Sequence, residues 1–167
     1  MFLALQVLTV ILVAVAMALA LAHALELPGK MRLPQEQYLA VQAIYYPGFT
    51  IGGAAEPIAL LLTLILLVLT PAGSGVFWLT LGAFVSLLAM HATYWLLTHP
   101  VNHFWLKDVK LKGAGAGFFS LGALGSGDDS RKPEWTAFRD RWEFSHVVRA
   151  GLGLLSLTLL VTAVAMS

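Results

Sequence analysis

Four stretches, 2–25, 49–70, 76–98 and 144–166, each hold more than 20 largely apolar residues, and nothing else in this 167-residue chain constrains its fold as strongly. About 20 such residues are what a helix needs to cross the hydrocarbon core of a bilayer. In lipid every backbone N–H and C=O must find its partner internally, so the segments predict an all-α bundle of four transmembrane helices. Composition agrees. Hydrophobic residues make up 59% of the chain and charged residues only 11%, against about 25% charged in a soluble domain. That leaves too little polar surface to cover a water-exposed globule. The whole chain reads as one integral membrane domain.

The first stretch invites a second reading, because Ala22-His23-Ala24 resembles a signal-peptide cleavage site. Residues 1–6 carry no Lys or Arg, however, and the apolar run to about residue 25 exceeds the roughly 7–15 residues of a signal-peptide core. A retained helix is the expectation. The Pro71-Ala72-Gly73-Ser74-Gly75 turn is short enough to make the second and third helices antiparallel neighbours.

Orientation follows from the basic residues. Lys30 and Arg32 lie in the first loop and the other eight Lys and Arg within 107–149, with none at the termini or in the 71–75 turn. Lys/Arg-rich loops stay cytoplasmic, which predicts a multi-pass protein with both termini extracytoplasmic, in the inner membrane if the source is bacterial. The net charge of +1 gives no reason to expect nucleic acid as a partner. Cysteine is absent, so thiolate metal sites, iron–sulfur clusters and covalent c-type haem attachment are excluded for this chain.

The loops carry some pattern. Pro34 suits the start of a short interfacial helix, with Leu39, Ala43 and Tyr46 on one side and Tyr38, Gln42 and Tyr45 on another. It forms either a small lid or a simple connector. Lys112-Gly-Ala-Gly-Ala-Gly117 with Gly122, Gly125 and Gly127 reads as a flexible linker, since no strand precedes it to make a phosphate cradle. The fourth helix is expected to begin before the membrane, capped by Asp129 or Ser130, with Pro133 and Glu134 in its first turn. From there Trp135, Phe138, Trp142, His146 and Arg149 fall in a stripe about 80° wide. Interfacial anchoring accounts for the tryptophans, and snorkelling for Arg149, less readily when His146 is included.

Charged groups inside transmembrane helices cost about 2.5–3.5 kcal/mol each on insertion scales and tend to be functional. The topology gathers several near one membrane face. His23 and Glu26 share a face where helix one ends. Glu56 lies about two turns into helix two, followed by Pro57, so a kink near Gly53 is expected. His91, Tyr94, Trp95 and Thr98 share a face of helix three, followed by His99, Asn102 and His103. His146 and Arg149 open helix four. A purely structural reading makes Glu56 an inert partner of Arg149 or of a histidine.

Three chemistries suit such a cluster. His and Glu are ordinary ligands for iron, zinc or copper, but only a reversed His23-x-x-Glu26 pair appears, and no His-Glu-x-x-His motif. A bound metal stays open. Haem b between His91 and His146 is a second option that no spacing demands. Metal-free acid–base chemistry on an apolar substrate arriving from lipid needs the fewest assumptions. No cofactor is favoured.

Two motifs resemble a known family. Thr98-His-Pro-Val-Asn102 is similar to the Pro-Val-Asn signature of the anthrone-oxygenase-like family of small four-helix membrane proteins. Trp142-Glu-Phe-Ser-His146-Val-Val-Arg149 is similar to its Trp-x-x-x-His-x-x-Arg pattern. His23-Ala-Leu-Glu26-Leu-Pro-Gly-Lys30 and Tyr38-Leu-Ala-Val-Gln42 resemble a bacterial branch. The insert at 113–127 fits no family pattern. The resemblance implies O₂-dependent oxidation of an anthrone- or quinol-like molecule, with His146 as base and Arg149 as oxyanion partner. Asn102 and Trp142 would shape the pocket, Glu56 and His91 would join the catalytic group, and His23, Glu26 and Trp95 would contact substrate. The rival expectation is a non-catalytic accessory subunit of a larger membrane complex, or a lipid- or quinone-binding protein.

Overall fold

The structure, a computed structural model, describes residues 2–105 and 135–167, the side chains of His103 and Phe104 excepted. The glycine-rich 112–127 stretch and the expected cap at Asp129 or Ser130, with Pro133 and Glu134, lie outside the described residues. All regular structure among the described residues is helical, and four rods are long and apolar enough to cross a membrane. The protein is a four-helix, multi-pass membrane bundle.

The first rod is α1 (Phe2–Lys30), of 29 residues, or about 43 Å at 1.5 Å per residue. That exceeds the roughly 30 Å hydrocarbon core, so its last turns reach the polar boundary. It runs past the expected end near residue 25 and through Pro28. A proline near a helix end removes only one intrahelical bond, and the last turn is held by Lys30, which bridges to Glu26 at 3.2 Å and is itself buried. Lys30 is therefore part of the helix and not of the loop.

After Pro34, α2 (Gln35–Gln42) and a 3-10 turn (Ala43–Tyr45) lie across this end of the bundle. The lid option holds here, with Tyr38, Gln42 and Tyr45 on the inner face. The second rod is split into α3 (Gly48–Gly53) and α4 (Ala55–Leu69). The break is the expected kink, since Pro57 cannot donate to the carbonyl of Gly53 four residues earlier.

Ser74 starts the third rod by accepting from the backbone N–H of Phe77 at 3.1 Å, and Gly73 supplies the positive φ of 82° that the turn requires. The rod comprises α5 (Gly75–Thr93), one wide π turn (Tyr94–Thr98) and α6 (His99–Trp105). The π turn lies outside the regular helix expected of this stretch, and Pro100 explains it. Its ring displaces the carbonyl of Leu96, and Arg141 of the fourth rod donates to that carbonyl at 2.6 Å. The fourth rod, α7 (Trp135–Ala165), already helical at Trp135, is continuous for 31 residues.

The four rods form a square in which α1 and α5 each touch both α4 and α7. Small residues set the spacing. A Cβ on Gly153 would stand 3.2 Å from the Cα of Met17, so α1 and α7 cross almost backbone to backbone. Val13, Ala16, Ala59, Ala83, Leu87 and Leu160 belong to the core between them. Ser156, fully buried, donates to the carbonyl of Ala83 at 2.8 Å and ties α7 to α5.

Candidate functional site

A cavity of about 780 Å³ opens inside the end of the bundle remote from both termini, beneath the lid. Its size falls within the roughly 300–1,000 Å³ of small-molecule pockets. Most of the wall is apolar or aromatic. Among the lining residues, Pro47, Ile51, Ala54, Pro57 and Trp95 are exposed on the outside of the bundle. This rim lies beside the α3–α4 break and the π turn, the two places where regular helix is interrupted. A mouth with such a rim faces lipid more readily than water.

Glu56 sits in the first turn of α4 with both carboxylate oxygens engaged. Arg149 donates to Oε2 at 2.6 Å, and His91 Nδ1 is 2.9 Å from Oε1. The tautomer of His91 follows from its other nitrogen. Trp95 Nε1, which can only donate, is 3.0 Å from His91 Nε2, so Nε2 carries the lone pair and the proton is on Nδ1, directed at Glu56. The Arg149 guanidinium also lies 5.1 Å over the ring of Tyr94. Arg149 is thus largely committed to Glu56, which bears on the oxyanion role expected of it.

His146 is differently placed. It is buried on α7, and its Nδ1 donates to the carbonyl of Trp142 at 2.9 Å. The lone pair is therefore on Nε2, for which the described residues supply no hydrogen-bond partner. The ring packs on Trp142 at 4.1 Å between centroids and on His23 at 4.3 Å. His23, in turn, is enclosed by Tyr45, Phe49 and Trp142. The Lys30 ammonium is 3.5 Å from His23 Nδ1; an ammonium can only donate, which leaves the His23 proton on Nε2. One imidazole offers the cavity a lone pair and its neighbour an N–H.

Asn102 accepts from Trp142 Nε1 at 2.8 Å and also bonds Tyr94, fixing the indole that stacks on His146. The structure therefore brings His23, Glu56, His91, Trp95, Asn102, Trp142, His146 and Arg149 to one wall system. Glu26 stands apart. It does not line the cavity; it accepts from Tyr45 at 2.5 Å and braces the lid. His99 is buried under Trp95, at 4.7 Å between ring centroids. The fourth-helix stripe divides: Trp142, His146 and Arg149 reach the cavity, while Trp135 and Phe138 pack under the lid with Tyr38 and Trp105.

A second buried polar group was not legible in the sequence. Glu143, 1% exposed, accepts from Tyr38 at 2.8 Å and from Lys30 at 3.4 Å, and Lys30 also lies 4.7 Å over Trp142. Burial, then the neighbouring Glu143 carboxylate, pushes the Tyr38 hydroxyl well above its ordinary pKa. Burial and the hydrogen bond to Glu26 do the same for Tyr45. Both hydroxyls stay protonated donors and pin the lid to α1 and α7. Lys30 is one turn beyond Glu26 and two beyond His23, a spacing that could have marked it. Glu143 lies about 100° off the stripe of Trp142, and only its partner on another element reveals its role.

No group of three or more His, Asp or Glu side chains among the described residues is arranged to hold a metal ion. Glu56 is spent on Arg149 and His91, and no third ligand among the described residues joins the His23–His146 pair. No family model, curated protein or solved structure matches the chain. The chemistry open to these residues is set by the cavity. It can shelter a flat apolar molecule, present a neutral imidazole lone pair to it, and exclude water.

Proposed function

We propose that this protein is a membrane-embedded, oxygenase-like enzyme acting on a planar hydrophobic molecule of the anthrone or quinol type. The observation that carries the reading is His146, buried at the wall of an apolar cavity with Nδ1 tied to the Trp142 carbonyl and Nε2 left unpaired among the described residues. A substrate partitioned in lipid reaches it through the mouth between Pro57 and Trp95. Nε2 takes an acidic proton from a doubly benzylic CH₂, and dioxygen, as co-substrate, adds to the resulting carbanion. Loss of water from the peroxide turns CH₂ into C=O, with one oxygen atom retained in the product and the other leaving as water. The choice of this reaction rests on the resemblance of Pro100-Val-Asn102 and Trp142…His146…Arg149 to the anthrone-oxygenase-like family. Glu56, Arg149 and His91 then act as a fixed frame for the wall.

His146→Ala is expected to lower O₂-dependent anthrone oxidation by about 10²–10⁴, the usual contribution of a general base. Phe144→Leu, 61% exposed on the same helix, is the neutral comparison. Unchanged turnover in His146→Ala removes the base assignment. The membrane orientation belongs to the same proposal, with the cavity end cytoplasmic and both termini outside. A reporter active only outside the cytoplasm, fused after Ser167, should be active, and silence from a well-expressed fusion reverses the orientation.

One observation favours a second reading, a binder of quinone or lipid without turnover. Glu56, which lines the cavity, is already satisfied inside the protein, as are the nearby Glu26 and Glu143 outside it. Saturable binding of anthrone with no oxygen consumed would support that reading.

A further inference from the structure

His146 does not stand alone in the cavity wall. The ring of His23 packs against it at 4.3 Å between centroids, and both residues line the cavity. Each ring has one nitrogen committed behind the wall. His146 Nδ1 donates to the Trp142 carbonyl at 2.9 Å, and His23 Nδ1 faces the Lys30 ammonium at 3.5 Å. Glu26, at 3.7 Å, is too far to draw a proton onto that nitrogen. The remaining nitrogens are therefore unlike: Nε2 of His146 is a lone pair and Nε2 of His23 an N–H. The described residues give neither of them a hydrogen-bond partner. Nor is either fully enclosed, in contrast to the Gln42 amide nitrogen and Arg149 Nε, so both meet the cavity space. Other polar groups of the wall are committed to one another, Trp142 to Asn102, Trp95 to His91, and Glu56 to His91 and Arg149.

We propose that His23 and His146 form a clamp for a hydroxyl group, and that the occupant of the cavity is an apolar phenol. A hydroxyl donates and accepts through one oxygen atom. Its O–H meets the lone pair of His146 Nε2, and its oxygen receives the N–H of His23 Nε2. An oxygen about 2.8 Å from each nitrogen suits two rings whose centroids are 4.3 Å apart. A carbonyl or an ether can only accept, and would leave the His146 lone pair facing carbon. Water carries the same donor and acceptor, and is what a ligand hydroxyl displaces. The surroundings select the rest of the molecule. Tyr45, Phe49 and Trp142 enclose His23 with aromatic rings, walls that suit another flat ring. A phenol is also a stronger donor than an aliphatic alcohol, which matches a neutral imidazole as acceptor. The inference rests on the cavity being a ligand site, as proposed above, and is independent of the oxygen chemistry.

The test uses the full chain in lipid nanodiscs and probes paired so that only one group changes: 2-naphthol with 2-methylnaphthalene, and 2-methoxynaphthalene with 2-ethylnaphthalene. Equilibrium retention on immobilised protein nanodiscs is measured against empty nanodiscs, which removes lipid partitioning. The wild type is expected to prefer naphthol to methylnaphthalene by about 10-fold or more, the scale of a buried polar group left unpaired. The ether should show a smaller preference over ethylnaphthalene, through the His23 N–H alone. His146→Leu should reduce the naphthol preference to that of the ether, whereas His23→Leu should lower both. Unchanged retention of the hydrocarbons reports an intact pocket, and Phe at either position is a second variant that keeps a ring. Equal retention of naphthol and methylnaphthalene by the wild type overturns the proposal without any variant. A naphthol preference that survives both substitutions also overturns it, as does loss of all four probes in every variant, because the imidazoles would then only be packing. A preference for 1-decanol over undecane as large as that for naphthol overturns the phenol assignment in favour of a lipid alcohol. Oxygen uptake separates the two levels. A naphthol preference that needs both imidazoles, with no oxygen consumed on anthrone, keeps the clamp and discards the oxygenase. Anthrone oxidation lost in His146→Leu, with no naphthol preference in the wild type, does the reverse.

Discussion

Replacing Glu56 by Gln is nearly isosteric, yet it should be among the most damaging single changes in the bundle. Glu56 receives two donors, Arg149 at 2.6 Å and the Nδ1–H of His91 at 2.9 Å. A carboxylate accepts both. An amide accepts only one and turns an N–H toward the other. The side chains of Glu56 and Arg149 are 5% and 12% exposed, so solvent screens little of the interaction. At an effective dielectric constant of 20 the ion pair alone amounts to roughly 6 kcal/mol of attraction. Removing one partner of a buried pair costs about 3–5 kcal/mol, because the other charge remains buried. We expect Glu56→Gln to lose about 3–5 kcal/mol, read by tryptophan fluorescence during reversible unfolding in mixed detergent–SDS micelles. Arg149→Met should cost a similar amount. The double variant should recover much of the loss, because an amide satisfies His91 alone and no orphan cation remains. A coupling energy below about 1 kcal/mol in this cycle would refute the reasoning, since the pair would then be solvated or absent.

The crossing of α1 and α7 offers a test with an internal control. Gly153→Ala places a Cβ 3.0 Å from the Cβ of Met17 and 3.2 Å from its Cα, and overpacking of this kind should cost about 1–3 kcal/mol in the same unfolding assay. Gly151→Ala, two residues away with nothing within 4 Å, should be neutral or stabilising by up to about 1 kcal/mol; equal effects at the two sites would contradict the close crossing. Tyr38→Phe removes a hydroxyl that donates to buried Glu143 at 2.8 Å. Bonds to charged acceptors are worth about 1.5–3 kcal/mol, and a loss under about 0.5 kcal/mol would mean that this bond does not hold the lid down.

The sequence by itself determined the class of fold, for a physical reason that leaves little choice. Four apolar stretches in lipid must each close their own hydrogen bonds, and only helices of membrane length do so. Pro57 likewise announced the break at Ala54, because a missing N–H acts within its own turn. Periodicity placed Trp142, His146 and Arg149 on one face and His91, Tyr94 and Trp95 on another, and those faces line one cavity. Partners between elements were beyond its reach. Nothing local says that Glu143, one residue from Trp142, meets Tyr38 and Lys30. The π turn arises because Arg141 from another rod takes the carbonyl that Pro100 frees. Tertiary structure also decided which groups are spent and which are left over. Both oxygens of Glu56 are consumed by neighbours from α5 and α7, while Nε2 of His146 and the amide of Gln42 stay unpaired among the described residues. That difference depends on distances of a few tenths of an ångström between side chains far apart in the chain, and no pattern along a single helix records it.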